Sequence, residues 1–470
     1  MKKVLFTIIF LSLLIAETSA QIGSVGINDA VSTGMARTYN SISRGVYSIG
    51  INPANLLLNE SEKIDIVTVI PIPRISARVG EDFITMQDIN YFFGGVDGKS
   101  RYLNDADKER LNSLFENGGT GFTDASISLF SIGYRSDMGA FAFSINDAVA
   151  GNFQFPKSVA EIALYGNQQG KEYNLDQTNF KTWWIRDYAF SYARKIFTDG
   201  SNNAYGLYAG VSFKIVQGFA YTGTENVGTT ISTGNSNEIT GNADLRGLSA
   251  FSDNFGVKYD FDSTKHSSSF SMFPSPAGSG VGLDLGFTYA FPSNLKISFA
   301  VTDMGSIKWT KNAAQFSASG NIYLDDLTNQ SQLDTLKDKL LGKSQSIESF
   351  TTSLPTAIRF GFSKPFFETN RNSVGYLLVA LDYNQGLNDM PGNSKKGRLS
   401  IGTEWKPLSW SPFLRTGFSF GGISGFNWAF GLGLDVGLLE FNVATSDFQS
   451  FASPNSTKHL SVAFDSRWKF

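Results

Sequence analysis

The sequence predicts an all-β fold, namely a closed antiparallel transmembrane β-barrel of about 14 strands with an N-terminal plug in its lumen and long extracellular loops. Three observations lead to this prediction. The first residues form an export signal, and the composition is poor in charge and rich in Phe and Gly. In many segments of about ten residues, apolar residues alternate with small or polar ones.

The N-terminus has the three parts of a secretory signal peptide. Two lysines precede the apolar run 4–15, and small residues end the segment at Ala20. This run is shorter than the roughly 20 residues that a membrane-spanning helix needs. We therefore expect residues 1–20 to be removed and the mature chain to begin at Gln21. Because no Cys follows the cleavage site, a lipid anchor is not expected.

The composition limits the class of protein. Charged residues make up 17% of the chain, against about 25% in ordinary soluble domains, while Phe occurs 41 times and Gly 47 times. The formal charge is −3, and loss of two Lys and one Glu with the signal peptide makes it −4, so nucleic acid is not an expected partner. Without spanning helices, only a closed barrel satisfies its backbone hydrogen bonds in lipid. A large periplasmic or surface-exposed array of β-sandwiches is the competing class.

The alternation itself favours the barrel. In 427–435 the large apolar residues occupy the even positions, and Asn, Ala, Gly and Asp occupy the odd ones; similar alternation runs through 281–291 and 207–215. A soluble sandwich would carry Lys, Glu and Thr on its polar face rather than Gly, Ala and Ser. The small residues indicate a lumen that is narrow or filled.

Fourteen segments are strand candidates, an even number, as in bacterial single-chain barrels. They are 64–79, 125–135, 138–149, 184–196, 203–218, 279–291, 294–305, 355–364, 373–385, 397–407, 412–421, 425–435, 437–446 and 459–470. Pro71 and Pro73 make the first an irregular or edge strand. A change of phase at Leu129-Phe130 predicts a bulge in the second.

The connections on the two sides of the predicted barrel differ in length. Counted back from a C-terminus on the periplasmic side, the periplasmic connections are all short, whereas most of those on the opposite side are long. This is typical of outer-membrane barrels, and a sandwich gives no reason for it. In the long loops we expect a helix capped by Asn104, a second amphipathic helix within 324–341, and a mobile loop or strand extensions over 222–242.

The last predicted strand, 459–470, must pair with the first, because an open strand edge is not tolerated in lipid. Its apolar face ends in Phe464, Trp468 and Phe470. A terminal aromatic residue of this kind resembles the signal that the outer-membrane insertion machinery reads. Outer-membrane lipid and this machinery are therefore expected partners.

Residues 31–58 contain the motifs Gly34-Met35-Ala36-Arg37 and Gly50-Ile51-Asn52-Pro53-Ala54-Asn55-Leu56, and shorter matches lie at 103–108, 280–286 and 354–356. These stretches resemble long-chain fatty-acid-transporter-like (FadL-type) barrels and are similar to poorly characterised outer-membrane barrels of the Bacteroidota. The resemblance implies fourteen strands over residues 61–470 and a lumenal plug over residues 21–60.

In that plug, Asn52, Pro53 and Ala54 would fix a turn. Pro53 sets its own φ, and the Asn52 side chain can bond its own backbone. An ordinary turn that leads into the first strand is the alternative.

Nine ionisable residues are expected to face the lumen. They are Asp284, Arg359, Asp382, Glu404, Arg415, Asp435, Glu440, Asp465 and Arg467. They could line a polar pathway, grip the plug, or simply fill a small barrel. Because both signs of charge are mixed, no ion selectivity is expected.

Catalytic and metal chemistry is not expected. The chain has no Cys and two isolated histidines, His266 and His459, so a His/Cys metal site is excluded and no cofactor is predicted. Ser456 lies near His459 in the sequence, but nothing fixes an orienting acid beside the pair.

We therefore expect a passive outer-membrane channel for uptake of hydrophobic or amphipathic small molecules, which diffuse through a plugged lumen. The main alternative is a non-transporting scaffold for secretion or attachment of surface proteins, with a secretion-system partner. An outer-membrane enzyme is a distant third. Transport requires a continuous lumenal path lined by apolar residues, whereas a scaffold requires a sealed lumen and an exposed apolar patch on the long loops.

Overall fold

The computed structural model describes residues 29–58, 62–95, 99, 101–199, 204–235, 238–256, 271–325, 342–422 and 425–470. The predicted signal peptide, residues 1–20, lies outside the described residues. So do 21–28 and 59–60 of the predicted plug, and all of the second predicted loop helix beyond residue 325.

The described part of the chain is mostly β-strand. In chain order they are β1 (Ile64–Thr68), β2 (Arg74–Glu81), β3 (Gly119–Ser136), β4 (Gly139–Phe155), β5 (Glu172–Asn174), β6 (Asn179–Thr198), β7 (Gly206–Val227), β8 (Thr230–Thr233), β9 (Ile239–Phe251), β10 (Gly278–Ala290), β11 (Lys296–Trp309), β12 (Ala314–Leu324), β13 (Lys343–Ser346), β14 (Phe350–Ser353), β15 (Ala357–Phe367), β16 (Tyr376–Gly386), β17 (Arg398–Trp405), β18 (Phe413–Gly421), β19 (Phe426–Asp435), β20 (Leu439–Thr445) and β21 (His459–Lys469).

These strands close into one antiparallel barrel. β21 pairs with both β1 and β2, and each of these also pairs with β3. Further around the ring, β14 and β15 both pair with β11. The couples β1/β2 and β14/β15 therefore each count as one strand of the barrel. Counted in this way the barrel has fourteen strands, which confirms the predicted fold class.

The first strand is interrupted, as its two prolines predicted. Residues 69–73 leave the ladder between β1 and β2, and side chains of the last strand bond to them instead. The Trp468 Nε1 group donates to the Ile70 carbonyl at 3.1 Å, and the Ser466 hydroxyl donates to the Ile72 carbonyl at 2.6 Å. The predicted bulge in β3 is also present, because the register with β4 shifts between Ser128 and Phe130.

Connections at the two ends of the barrel differ in length. At one end they are short, such as 291–295 and 436–438, and at the other end several of them, such as 82–118, run to dozens of residues. Around β7 the sheet continues past the barrel, where β9 pairs with β7, β8 and β12. Residues 222–227, 230–233 and 239–242 are therefore in strands, which corresponds to the second of the two alternatives predicted for this region.

The described helices are short and lie in the long connections, apart from Ala30–Gly34. They are Met86–Phe93, Asp105–Ser113, Lys157–Tyr165 and Gln449–Ala452. The predicted cap is present, since Asn104 Oδ1 accepts a hydrogen bond from the Asp107 N–H at 2.8 Å. Among the described residues, no helix is both long enough and apolar enough to cross a membrane.

Burial is the reverse of that in a soluble protein. In β10, Val281, Leu285 and Phe287 are exposed, whereas Asp284 and Thr288 are fully buried. The same alternation runs through β15 to β19. An outer wall of Phe, Leu, Ile and Val suits contact with lipid, and the polar residues point to the lumen.

Candidate functional site

Residues 29–58, which we call the lumenal segment, lie inside the ring of strands. Every residue of the segment is buried except Leu57, which is half-buried. The segment contains the helix Ala30–Gly34 and two 3-10 turns, Gly45–Ser48 and Pro53–Leu57. It contacts strands all around the barrel, from β3 and β4 through β6, β7 and β10 to β18–β21.

Local hydrogen bonds explain how the lumenal segment folds. The Asp29 carboxylate accepts from the Ser32 N–H at 2.6 Å and caps the helix. In the Asn-Pro-Ala motif, Asn52 Oδ1 accepts from the Ala54 N–H at 3.2 Å, so the predicted turn geometry is present. Asn52 Nδ2 also donates to the Thr288 hydroxyl of β10 at 3.1 Å. The motif therefore both makes a turn and contacts the wall.

The barrel wall meets the lumenal segment through inward-facing glycines. At Gly286 an added Cβ would lie 2.0 Å from Asn52 Oδ1, and at Gly402 it would lie 2.7 Å from the Met35 carbonyl oxygen. At four further wall glycines an added Cβ would lie 2.4–3.0 Å from the segment: Gly210, Gly361, Gly417 and Gly431. We call these six residues the glycine seat. The small inward residues seen in the sequence are thus where the backbone of the segment rests.

A buried ion network joins the segment to the wall. Glu440 of β20 accepts from Arg44 of the segment at 2.7 Å, from Arg371 at 3.2 Å and from Arg467 at 2.8 Å. Glu404 accepts from Arg371 at 2.7 Å and from Arg415 at 2.7 Å. A single glutamate therefore holds the lumenal segment, a short turn and the final strand together.

Three more carboxylates bind the backbone of the segment. Asp465 accepts from the Ala30 N–H at 2.7 Å, and Asp382 accepts from the N–H groups of Tyr39 and Asn40 at 2.5 and 2.7 Å. Asp65 accepts from the Val46 N–H at 2.7 Å. Charge-assisted hydrogen bonds of this kind are the stronger ones, and in a low-dielectric lumen they fix the path of the chain.

The structure gathers most of the nine predicted lumenal ionisable residues but not all of them. Asp435 joins the Glu440 network through Arg371 at 3.9 Å and Lys469 at 2.6 Å. Asp284 and Arg359 lie elsewhere. Asp284 pairs with Lys214 of β7 at 2.8 Å, and Arg359 donates to Asn384 at 3.3 Å.

Sequence reasoning missed Arg44, Arg371, Asp65 and Lys214 as members of these clusters. Arg371 lies in a short turn, and nothing in the sequence indicates that the turn would direct this side chain into the lumen. Arg44 lies within the motif region of the segment and Lys214 on the inward face of an alternating strand, so these two carried a usable signal.

A cavity of about 600 Å³ lies between the lumenal segment and the short-turn end of the barrel. Its apolar part is formed by Leu57, Leu58, Tyr208, Ala290 and Phe291. Its charged part is formed by Arg44, Arg371, Glu404 and Arg467. The cavity is therefore amphipathic and is bordered by the same arginines that hold the segment.

The three aromatic residues of the last strand lie on its outer face. Phe464 and Phe470 are exposed, and the half-buried Trp468 ring stacks on Phe470 with 6.5 Å between centroids. They form part of the apolar outer wall at the seam where β21 meets the first strand.

The Ser456 and His459 pair is not assembled for nucleophilic chemistry. The Ser456 hydroxyl donates to the Ser453 hydroxyl at 2.8 Å, and the buried His459 ring stacks on Phe122. His266 lies outside the described residues. Within the described part of the chain, no group of three His, Asp or Glu residues is arranged to hold a metal ion.

Among solved structures, the toluene transporter TbuX of Ralstonia pickettii is similar over 94% of this chain and 98% of its own, at 14% identity and a TM-score of 0.46. A FadL homologue of Pseudomonas aeruginosa is similar over 95% and 99%, at 10% identity and a TM-score of 0.46. The toluene transporter TodX of Pseudomonas putida is similar over 96% and 99%, at 11% identity and a TM-score of 0.44.

No curated protein matches the chain. A family model described as "Family of unknown function (DUF5723)" matches residues 63–446, which span nearly the whole barrel. The chain belongs to the DUF5723 family.

Proposed function

We propose that this protein is an outer-membrane uptake channel through which hydrophobic or amphipathic small molecules diffuse without an energy source. Residues 1–20 would direct its export and then be removed. The observation that carries the proposal is the amphipathic cavity of about 600 Å³ inside the lumen. A cavity of this size can accommodate a drug-sized molecule, and its mixed lining suits a solute with one apolar end.

The lumenal segment would act as a plug that limits passage. Its buried ion pairs and the glycine seat hold it across the lumen, so a large open water channel is not expected. Cargo would pass between the segment and the wall. There the apolar residues Leu57, Leu58 and Ala290 form a surface on which an apolar solute is more stable than in water.

Uptake into liposomes tests this proposal. We expect protein-containing liposomes to take up a fluorescent amphipathic solute faster than empty ones. Ala290→Trp should fill the apolar part of the cavity and slow uptake about tenfold. The control is Val281→Trp on the same strand, whose side chain faces lipid and should leave the rate unchanged. Equal rates in empty and protein-containing liposomes would refute the proposal.

A scaffold for surface proteins is the second candidate, and one observation favours it. Several large side chains on the long connections are exposed, among them Phe93, Tyr102 and Phe451. Exposed aromatic residues outside the lipid-facing wall are typical of protein contacts. Capture of a secretion component by the intact barrel, lost in the Phe93→Ser/Tyr102→Ser variant, together with no uptake in liposomes, would favour the scaffold over the channel.

A further inference from the structure

Three adjacent strands present a row of basic and amide side chains at one level of the lumen. Arg359 of β15 lies directly opposite Asn384 of β16, and Asn384 lies directly opposite Arg398 of β17. All three side chains are buried. We call them the basic row; it lies two residues beyond Asp382, toward the long-loop end.

Arg398 is buried with two guanidinium nitrogens that bond to none of the described residues. It is 5% exposed, and its Nε and Nη2 atoms have no hydrogen-bond acceptor. Within the described residues, Asp382 is the acid that attracts this guanidinium, and it does not bond to either of these two nitrogens. Asn384 Nδ2 beside it is also without an acceptor. Buried donors in proteins are usually hydrogen-bonded, so these nitrogens of Arg398 and Asn384 lack the acceptors that they would ordinarily have.

Neighbouring positive charges raise the free-energy cost of burying Arg398. Arg78 and Arg359 are close enough to repel the Arg398 guanidinium. Asp382 attracts this guanidinium, but one of its oxygens accepts from the Tyr39 and Asn40 N–H groups and the other makes no hydrogen bond to the described residues. Burying an unpaired guanidinium among like charges is costly, and a bound anion removes that cost.

We propose that the basic row is a binding site for an oxyanion. The two free nitrogens of Arg398 form one edge of its guanidinium, which matches the two oxygens of a carboxylate or phosphate group, and Asn384 supplies a third donor. The oxyanion can be a free inorganic ion or the charged end of an amphipathic solute. Both sources share the same chemistry at the site.

A basic path leads to the row from the long-loop end. Lys395 is exposed and pairs with Asp389 at 2.9 Å, Lys396 is half-buried, and Arg398 is buried, so basic side chains continue from the surface into the lumen. The connection between β16 and β17 folds inward above the row, with Asn393 and Ser394 almost fully buried and Gly386 N–H donating to the Ser394 carbonyl at 2.8 Å. A positive approach of this kind raises the local concentration of anions.

This site does not depend on the proposed transport. The row lies away from the amphipathic cavity, and a scaffold that transports nothing would still bind an anion here. Failure of uptake and failure of anion binding are therefore separate results.

Calorimetric titration of the refolded full-length barrel in neutral detergent tests the proposal. The probes are sodium phosphate, sodium hexanoate and uncharged hexanol. We expect phosphate or hexanoate to bind and Arg398→Gln to weaken that binding at least tenfold, while Lys395→Gln, an exposed control, changes it less than twofold. Binding of phosphate assigns the site to free oxyanions, and binding of hexanoate without phosphate assigns it to a charged solute end.

Thermal unfolding provides a second readout. It compares each variant with and without the anion, so a general loss of stability in the variant does not affect the result. Phosphate or hexanoate should raise the unfolding temperature of the natural protein relative to chloride, and Asn384→Leu should reduce that rise. Binding that is equal in the natural protein and Arg398→Gln overturns the proposal, as does the absence of binding by both anions.

Discussion

Glu440 is the residue on which the lumenal ion network depends. It is completely buried and accepts hydrogen bonds from three arginines, one of which belongs to the lumenal segment. Removing one partner of a buried ion cluster leaves the remaining charges without compensation, which is more harmful than never having buried them.

We expect Glu440→Gln to lower the free energy of unfolding by about 3–5 kcal/mol, because Arg44, Arg371 and Arg467 keep their charges and lose their shared carboxylate. Urea unfolding of the barrel in lipid vesicles measures this. Glu348→Gln on an exposed connection is the control and should change the stability by less than about 0.5 kcal/mol. A loss for Glu440→Gln as small as for the control would mean that the network does not contribute to stability.

At this scale the sequence predicted the inward charges but not their partners. Alternation alone placed Glu440 and Arg467 on the lumenal face. The partner Arg371 lies in a turn, where no periodicity constrains the direction of a side chain. Contacts between residues hundreds of positions apart, such as Ala30 with Asp465, follow from the closed ring and cannot be derived from local pattern.

The lumenal segment is the element whose position depends most on small residues of the wall. Gly402 lies so close to Met35 that a Cβ would come within 2.7 Å of its carbonyl oxygen. A larger side chain there must displace the segment or the strand, because backbone cannot move aside as easily as a side chain.

We expect Gly402→Val to loosen the segment and to cost about 1–3 kcal/mol of stability. Limited proteolysis should then cut within residues 29–58 of the folded barrel. Gly228→Val is the control, since the nearest atom to its added Cβ would be 3.7 Å away, in ordinary contact. An uncut segment in Gly402→Val would show that the glycine seat does not set its position.

The final strand, β21, carries the aromatic terminus that the sequence singled out. We propose that Phe470 is read by the outer-membrane insertion machinery. Phe470→Ala should then lower the amount of heat-modifiable barrel in the outer membrane of cells about tenfold without changing unaided refolding in detergent. Leu460→Ala, on the outer face of the same strand, is the control. Equal insertion of Phe470→Ala and the control would contradict this role.

Elements were predicted most fully where alternation between the two faces of the barrel wall imposes a pattern. The fourteen barrel strands alternate because one face meets lipid and the other the lumen. β12 was not predicted as a strand, and only the start of β9 lay within a predicted strand extension, because both lie beyond the barrel, where neither face needs apolar residues. The helix Met86–Phe93 was also missed, although Thr85 and Asp88 form a capping box that the sequence already shows.

The molecule as a whole is a barrel with an apolar outside and a polar inside that is largely filled by its own N-terminal segment. The outside follows from composition and alternation. The filled inside was suggested by small lumenal residues and by the FadL-type resemblance, but its seating on six glycines and on Glu440 needed the structure. Because the chain has no Cys, a single introduced thiol can report on any one position.

Thiol labelling of the folded barrel tests the central claim most directly. Ser48 is fully buried in the lumenal segment, and Tyr102 is 95% exposed on a long connection. With a membrane-impermeant maleimide, we expect Ser48→Cys to react at least a hundredfold more slowly than Tyr102→Cys in the folded, heat-modifiable barrel, and equally fast after unfolding. Equal rates in the folded barrel would contradict the placement of residues 29–58 inside the lumen.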